Sequence, residues 1–185
     1  MASRRDFFRS LSGAKDSSTP KEESIDVVLR PPYALAESLF LSRCVECEDK
    51  ACATFCEEEI IVIKADGTPT LNFSKRGCTF CQECAKACKS GVLSLEEGFE
   101  YINAEFKIDI NGCVAHHKVI CFSCKEPCID DAILFNGMFN PVIDESRCTN
   151  CGYCFGRCPT VAISYEVVDL DGAISKLRSS IDGDG

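Results

Sequence analysis

The sequence has no tryptophan, only two methionines and two histidines, and no long apolar run. The hydrophobic share of 45% includes all 16 cysteines, so the remaining apolar residues can build only the modest core of one domain. No stretch is long and apolar enough to span a membrane. No Ser–His–Asp combination, phosphate-binding loop or pair of catalytic carboxylates stands out, so we predict that the chain is not itself an enzyme.

What the sequence has in abundance is cysteine, and its clearest motif lies near the C-terminal end. Residues 148–159 read CTNCGYCFGRCP, the C-x2-C-x2-C-x3-C-P spacing of bacterial ferredoxins, which bind [4Fe–4S] clusters. Three thiolates two residues apart on a tight loop can hold three corners of one iron–sulfur cube. The fourth cysteine ligates a second cube, so one such run implies a partner run elsewhere in the chain.

Three further runs precede this one, and the four runs together use every cysteine. They begin 34, 35 and 35 residues apart, which is an internal repeat. We interpret them as the ligands of four [4Fe–4S] clusters. The first run comprises Cys44, Cys47, Cys52 and Cys56; the second Cys78, Cys81, Cys84 and Cys88; the third Cys113, Cys121, Cys124 and Cys128; and the fourth Cys148, Cys151, Cys154 and Cys158.

A secreted disulfide scaffold is the alternative reading of so many cysteines. Cysteines at C-x2-C spacing cannot readily bridge each other, and no apolar signal segment is present. Zinc sites usually have only two clustered cysteine pairs. We therefore expect metal binding to be coupled to folding, with a metal-free chain that is largely unfolded.

The segments between the runs predict an α+β, ferredoxin-like fold: tandem modules of short helices and two-stranded ribbons with little regular secondary structure. Asp-Gly and Asn-Gly pairs between apolar stretches are typical of hairpins. Three hairpins and one last strand are predicted, at residues 60–63 with 70–73, 92–95 with 106–110, 132–135 with 141–144, and 161–165.

The chain divides into a basic N-terminal arm and flexible linker at 1–29, the four-cluster domain at 30–168, and a C-terminal helix with a disordered tail at 169–185. Apolar residues at helical spacing predict that residues 169–180 form a helix that caps the core, with a partner-binding helix as the alternative. Arg4-Arg5 stands in SRRDFFR, which resembles a twin-arginine export motif, but polar residues follow where a signal needs an apolar segment. We therefore expect a cytoplasmic protein.

Charge and histidine content add two smaller expectations. The net charge of −9 disfavours nucleic acid and suits a basic patch on a partner protein, although it also suits a merely soluble surface. His116 and His117 lie in the long gap of the third run. Because that run already has four thiols, we interpret both as exposed loop residues rather than iron ligands.

The region before the first run carries a family resemblance. Arg30-Pro31-Pro32-Tyr33 and Glu37-Ser38-Leu39-Phe40-Leu41, together with Arg4-Arg5 and the four runs, resemble the NapF-type ferredoxin-like proteins of the bacterial periplasmic nitrate reductase system. The similarity covers roughly residues 30–165. It implies a cytoplasmic iron–sulfur protein that assists maturation of the catalytic molybdenum subunit, its implied partner, before that subunit is exported. The alternative function is a polyferredoxin that transfers electrons to a reductase.

The pairing of the runs is the least determined feature. The longer middle gap of the first run, C-x4-C, resembles the electron-transfer subunits of the DMSO-reductase group, which nest their runs. Sequential pairing closes shorter loops, but the difference of about 0.6 kcal/mol per doubling of loop length does not decide the matter. The resemblance favours nesting, with Cys44, Cys47 and Cys52 joined by Cys158; Cys148, Cys151 and Cys154 by Cys56; Cys78, Cys81 and Cys84 by Cys128; and Cys113, Cys121 and Cys124 by Cys88.

Overall fold

The computed structural model describes residues 27–182. The Arg4-Arg5 motif, most of the predicted arm and the last three residues of the predicted tail lie outside the described residues. Short elements dominate the rest. They are α1 Glu37–Leu39, a π-helical turn Phe40–Cys44, α2 Ala51–Thr54, β1 Ile61–Ile63, β2 Pro69–Leu71, α3 Glu83–Lys86, β3 Ala104–Ile108, a 3-10 turn Val114–His117, β4 Ile133–Asn136, β5 Phe139–Ile143, α4 Tyr153–Arg157, β6 Ile163–Val167 and α5 Leu170–Asp182.

Two of the predicted hairpins are confirmed. β1 pairs antiparallel with β2, and β4 with β5. Their turns contain Gly67 and Gly137 at φ of +80° and +65°, the left-handed conformation that glycine adopts without strain. The hairpins place the buried side chains of Ile61, Leu71 and Ile133 in the core.

The hairpin predicted between residues 92–95 and 106–110 is wrong. Leu93 instead forms an antiparallel bridge with Ala34, and β3 pairs antiparallel with β6. Val92 and Leu93 are buried, and the backbone around Leu93 hydrogen-bonds to the segment that precedes the first run. Each half of the chain is therefore an inner hairpin closed by an outer pairing. We call these halves the first module, residues 28–99, and the second module, residues 103–168.

Aromatic side chains pack the two modules together. Phe73 of the first module is 1% exposed, and its ring centroid lies 5.6 Å from that of Phe106 and 5.7 Å from that of Tyr165. Phe155 extends this group, with its ring centroid 5.2 Å from that of Tyr165. These tilted and edge-to-face contacts are favourable beyond their buried area, so the modules share one core.

A buried asparagine ties the start of the described chain to both modules. The Asn103 side chain accepts a hydrogen bond from the Arg30 amide at 2.8 Å and donates to the carbonyls of Val28 and Val168, both at 2.9 Å. Leu29 is also buried. Residue 29, the predicted end of the arm, therefore belongs to the core, so the predicted boundary after it lies too far along the chain.

The C-terminal helix α5 covers the core, as predicted. Leu170 and Ile174 are buried on its inner face. Asp169 caps its start by accepting the Gly172 amide at 2.7 Å. The helix reaches the first module, where the Glu37 amide donates to the Asp171 carboxylate at 2.9 Å. Within residues 27–182, no helix has the length and apolar character needed to cross a membrane.

Candidate functional site

The structure gathers all 16 cysteines into four groups of four free thiols, which we call tetrads. Each tetrad lines its own cavity, and the four cavities are similar in size. The first tetrad is Cys44, Cys47, Cys52 and Cys88; the second is Cys56, Cys78, Cys81 and Cys84; the third is Cys113, Cys121, Cys124 and Cys158; and the fourth is Cys128, Cys148, Cys151 and Cys154.

The composition of each tetrad, three thiols from one run and one from another, is as predicted, but the nested partners are wrong. Runs pair sequentially, the first with the second and the third with the fourth. Cys158 joins the third run rather than the first, and Cys56 joins the second rather than the fourth. In the same way, Cys88 joins the first run and Cys128 the fourth.

The strand pairings give the physical reason for this correction. The β1–β2 hairpin returns the chain from the first run to the second, and the β4–β5 hairpin returns it from the third to the fourth. The segment between Cys88 and Cys113 is not a central hairpin. Its two ends pair outward, with Ala34 and with β6, so it connects the modules instead of folding the outer runs together.

A repeated turn follows the last cysteine of every run. The third residue after that cysteine is left-handed in all four cases, at Glu59, Gly91, Asp131 and Val161 with φ from +49° to +64°. The turn aims later amides back at the sulfur: Leu93 donates to Cys88 at 3.4 Å, Ala132 to Cys128 at 3.3 Å and Ala162 to Cys158 at 3.2 Å. Sequence reasoning missed this feature because only one of the four turns has glycine there.

A second left-handed residue precedes the third cysteine in three of the runs. Lys50, Gln82 and Gly152 each stand two residues before that cysteine, where they begin α2, α3 and α4. The turn places the third cysteine in the first turn of a short helix, beside the cavity. Gly152 serves packing as well, because a Cβ there would collide with the ring of Phe73.

The thiols oppose one another's ionisation. Burial, followed by the charges of nearby thiols, raises the pKa of Cys52 to about 11 and that of Cys84 to about 12. In Cys151, burial outweighs a hydrogen bond from the Tyr153 amide and raises the pKa to about 11. Four thiolates can therefore share a tetrad only when a cationic group offsets their repulsion, and loading such a group must release protons.

Cys158 is the exception among the shifted thiols. Burial opposes its ionisation, but the Thr160 hydroxyl and the Ala162 amide, 3.7 and 3.2 Å from Sγ, outweigh burial and lower its pKa. A lowered pKa favours the thiolate, which is the form that binds metal.

The spacing of the side chains fits an iron–sulfur cluster better than a single ion. Within residues 27–182, no three His, Cys, Asp or Glu side chains lie close enough to hold one metal ion. Zinc requires sulfur at about 2.3 Å. Tetrads of thiols that are too wide for one ion, yet line one cavity each, fit the larger [4Fe–4S] group.

Neither histidine lines a tetrad cavity. His117 is exposed, as predicted, with Nε2 3.0 Å from the carbonyl oxygen of Asn111. His116 is half-buried in the 3-10 turn, with Nε2 3.1 Å from the carbonyl oxygen of Pro141, so the prediction of an exposed loop residue is wrong for it.

The tetrads lie in the order first, second, fourth, third. The Cys78 amide donates to the Cys151 carbonyl at 2.7 Å, which joins the second tetrad to the fourth across the modules. After burial and the thiols of its own tetrad, Cys52 of the first tetrad also raises the pKa of Cys84 in the second. Cys124 of the third tetrad likewise adds to burial and nearer thiols in raising the pKa of Cys154 in the fourth.

Residues 141–164 match the model of the 4Fe–4S binding domain family, and this stretch contains the whole fourth run. The chain is 34% identical over 142 residues to the ferredoxin-type protein NapF of Escherichia coli K12, covering 75% of this chain and 84% of that protein. It is 31% identical over 166 residues to NapF of Haemophilus influenzae, covering 87% and 92%. It is 28% identical over 174 residues to the ferredoxin-type protein NapG of E. coli K12, covering 82% and 74%.

Proposed function

Because the chain belongs to the NapF family of ferredoxin-type proteins, we propose that it holds one [4Fe–4S] cluster in each of its four tetrads and transfers electrons. The observation that carries the proposal is the grouping of all 16 cysteines into four similar cavities. When bound, such a cluster accepts and donates single electrons. The chain's own residues hold it, shield it from water and set its potential.

Iron and sulfide analysis tests the cofactor content. Protein purified without oxygen is expected to contain about 16 iron atoms and about 16 acid-labile sulfides per chain, as four cubanes require. A content of about eight irons that persists after reconstitution would mean that two tetrads hold no cubane, and the proposal would then be wrong for those sites.

The linear order of the tetrads supports electron transfer through the whole molecule. Transfer between the second and fourth tetrads must cross the junction from one module to the other. These two tetrads belong to different halves of the chain, so no short stretch of chain connects them. There the Cys78 amide meets the Cys151 carbonyl directly, and Gly77 is buried beside Tyr153. We propose that this contact holds the second and fourth tetrads close enough for electrons to pass.

Substitution of Gly77 tests the junction. A Cβ at this position would lie 2.5 Å from the Tyr153 amide nitrogen and 2.6 Å from the Cys151 carbonyl oxygen, so the backbone of one module must shift. Overpacking of this kind costs about 1–3 kcal/mol. Gly77→Ala is expected to keep its iron but to slow electron equilibration between the modules, measured by rapid-freeze EPR after mixing with limiting dithionite.

A matched control is Gly137→Ala. That glycine is also constrained, at φ +65°, but no atom lies within 4 Å of an added Cβ, and it stands in the β4–β5 turn rather than at the junction. Its equilibration should match that of the parent protein. Equal rates in both variants and the parent would contradict a role for the junction.

We further propose that the partner is the catalytic molybdenum subunit of a periplasmic nitrate reductase, and that electrons from this protein assist its maturation in the cytoplasm before export. The relationship to NapF supports this proposal, and the net charge of −9 suits a basic patch on the partner. Anaerobic co-purification from separated cell fractions tests it. Recovery from the periplasm, or the absence of the subunit from the complex, would contradict it.

The second candidate function is a carrier that feeds electrons to a reductase during turnover. The continuous order of tetrads from one module to the other favours it, because a protein that only assists assembly has no need to carry electrons across its length. Reduced protein should then support repeated turnover of a fully assembled reductase. An assembly factor would act once per subunit and add nothing afterwards.

A further inference from the structure

The lengthened gap of the first run supplies a charged residue that the second and fourth runs lack. Residues Glu48 to Ala51 separate its second and third cysteines, where those two runs have only two residues. In the structure this gap places Lys50 at the left-handed position before α2, with φ +44°. The same position holds Gln82 in the second run and Gly152 in the fourth.

Lys50 is held against the first tetrad. Its half-buried side chain lines the cavity of that tetrad. The ammonium group donates to the carbonyl of Cys44, itself a member of the tetrad, and to the carbonyl of Gly67 at 2.8 Å. The charge is thus fixed between the first run and the turn of the β1–β2 hairpin.

Other charges near the first tetrad largely cancel, whereas that of Lys50 does not. Among the residues described, no carboxylate forms an ion pair with Lys50. Lys89 and Asp49 also line the cavity, but they pair with each other at 2.7 Å and lie in solvent. Buried Arg30, behind the ring of Phe40, is bound to Glu37.

Among the described residues, no lysine or arginine lines the cavity of any other tetrad. Glu58 lines the cavity of the second and Asp130 that of the fourth, and no charged side chain lines that of the third. Backbone hydrogen bonding does not distinguish the four sites, because a cysteine sulfur in each tetrad accepts a backbone N–H at 3.2–3.4 Å. Hydroxyls of Ser123 and Thr160 lie 3.6 and 3.7 Å from sulfur in the third tetrad, and that of Ser90 lies 3.4 Å from Cys88 Sγ in the first, but all three are neutral.

We propose that Lys50 raises the reduction potential of the first tetrad's site above those of the other three, so that an electron entering the protein comes to rest there. This inference rests on the proposed function, since it requires a [4Fe–4S] cluster in each tetrad. Reduction adds one negative charge, which a fixed, half-buried ammonium beside the cavity favours. The electron that reaches the first tetrad's site leaves one of the other three sites. Because the first tetrad ends the order of tetrads, it is the terminus from which a partner would take the electron.

Variants of Lys50 test the proposal with a readout that does not depend on any partner. Lys50→Gln keeps hydrogen-bond donors, removes the charge and installs the residue of the second run. Lys50→Arg keeps the charge. Lys107→Gln is the control, because Lys107 is exposed on β3, forms an ion pair with Glu166 at 2.6 Å and lines none of the four tetrad cavities.

Each intact protein is reduced stepwise with mediators, and its centres are followed by EPR, alongside an iron assay. At a fixed potential, Lys50→Gln is expected to lower the reduced-to-oxidised ratio of the most easily reduced centre about tenfold, which is about 59 mV for one electron. Lys50→Arg and Lys107→Gln should match the parent.

An unchanged titration of Lys50→Gln, or a shift in any other centre, would overturn the proposal. If Lys50→Gln loses iron, the centre that disappears decides the matter: loss of the most easily reduced centre supports the assignment, and loss of another overturns it. Failure of the proposed function is distinct, because the parent protein would then lack four redox-active centres.

Discussion

Removal of iron by a chelator under anaerobic conditions is expected to unfold both modules. Regular structure is sparse within residues 27–182: outside α5, the longest α-helix there has five residues, and each sheet has two strands. Helices shorter than about 12–15 residues and isolated two-stranded ribbons are marginal in water. The core must therefore be completed by the groups that the tetrads bind.

The cysteines themselves are part of that core. Cys44, Cys78, Cys84, Cys151 and Cys154 are buried within the main hydrophobic cluster. Structural zinc in finger peptides contributes about 10–16 kcal/mol of apparent binding free energy, which is as large as the typical net stability of a domain, about 5–15 kcal/mol. Loss of this term should leave the folded state unfavourable.

Far-UV circular dichroism and protease resistance, recorded as iron is withdrawn, measure the effect. Since the chain has no tryptophan, tyrosine fluorescence is the optical probe of packing. The same chelator saturated with iron beforehand is the control. A metal-free chain with the native spectrum and native protease resistance would show that the apolar core suffices without the clusters.

Motif spacing proved sufficient for three of the four cysteines in each tetrad, because those three are neighbours in the chain. Three cysteines of one run lie on one loop and must face the same cavity, whatever the rest of the chain does. The β1–β2 and β4–β5 hairpins could be predicted for a similar reason, since their turn residues act on immediate neighbours. Helix α5 followed from the spacing of Leu170 and Ile174.

The pairing of runs could not be obtained in this way. Residues 92–95 and 106–110 have strand-like patterns, but a pattern gives no information on which strand lies alongside. A hairpin between them and separate pairings with Ala34 and β6 satisfy the same alternation. The difference in loop-closure free energy is too small to decide, and the resemblance of the first run's gap to a nested family pointed to the wrong partners.

The left-handed turns were hidden for a different reason. Sequence reasoning looks for glycine or asparagine where φ is positive, yet Glu59, Asp131 and Val161 adopt it after three of the runs. At these positions the surrounding ligand loop imposes the conformation. Val161, a β-branched residue that is 78% exposed, cannot owe it to its own preference or to burial.

Arg30→Met is expected to lower the free energy of unfolding of the cluster-containing protein by about 3–5 kcal/mol. The loss should lie toward the lower end of that range, because the Glu37 side chain is 29% exposed. Arg30 is only 1% exposed. Its guanidinium binds both oxygens of Glu37 and donates to Thr68 Oγ1 at 2.9 Å and to the Pro69 carbonyl at 2.8 Å. Among the described residues, no buried side-chain nitrogen or oxygen lacks a partner, so this one substitution breaks a fully satisfied network.

The double variant Arg30→Met with Glu37→Met separates the loss of the ion pair from the cost of leaving the Glu37 carboxylate without a partner. Replacement of both partners removes the stranded carboxylate, so much of the stability should return.

Arg178→Met is the control, because Arg178 is exposed and its guanidinium carbon lies 5.9 Å from the ring centroid of Phe99. Anaerobic guanidinium titrations that follow visible cluster absorbance measure all three. Since Phe40, beneath the Arg30 guanidinium at 4.3 Å, lines the first tetrad's cavity, that site should lose its iron first. An Arg30→Met midpoint equal to that of Arg178→Met would show that the network does not support the fold.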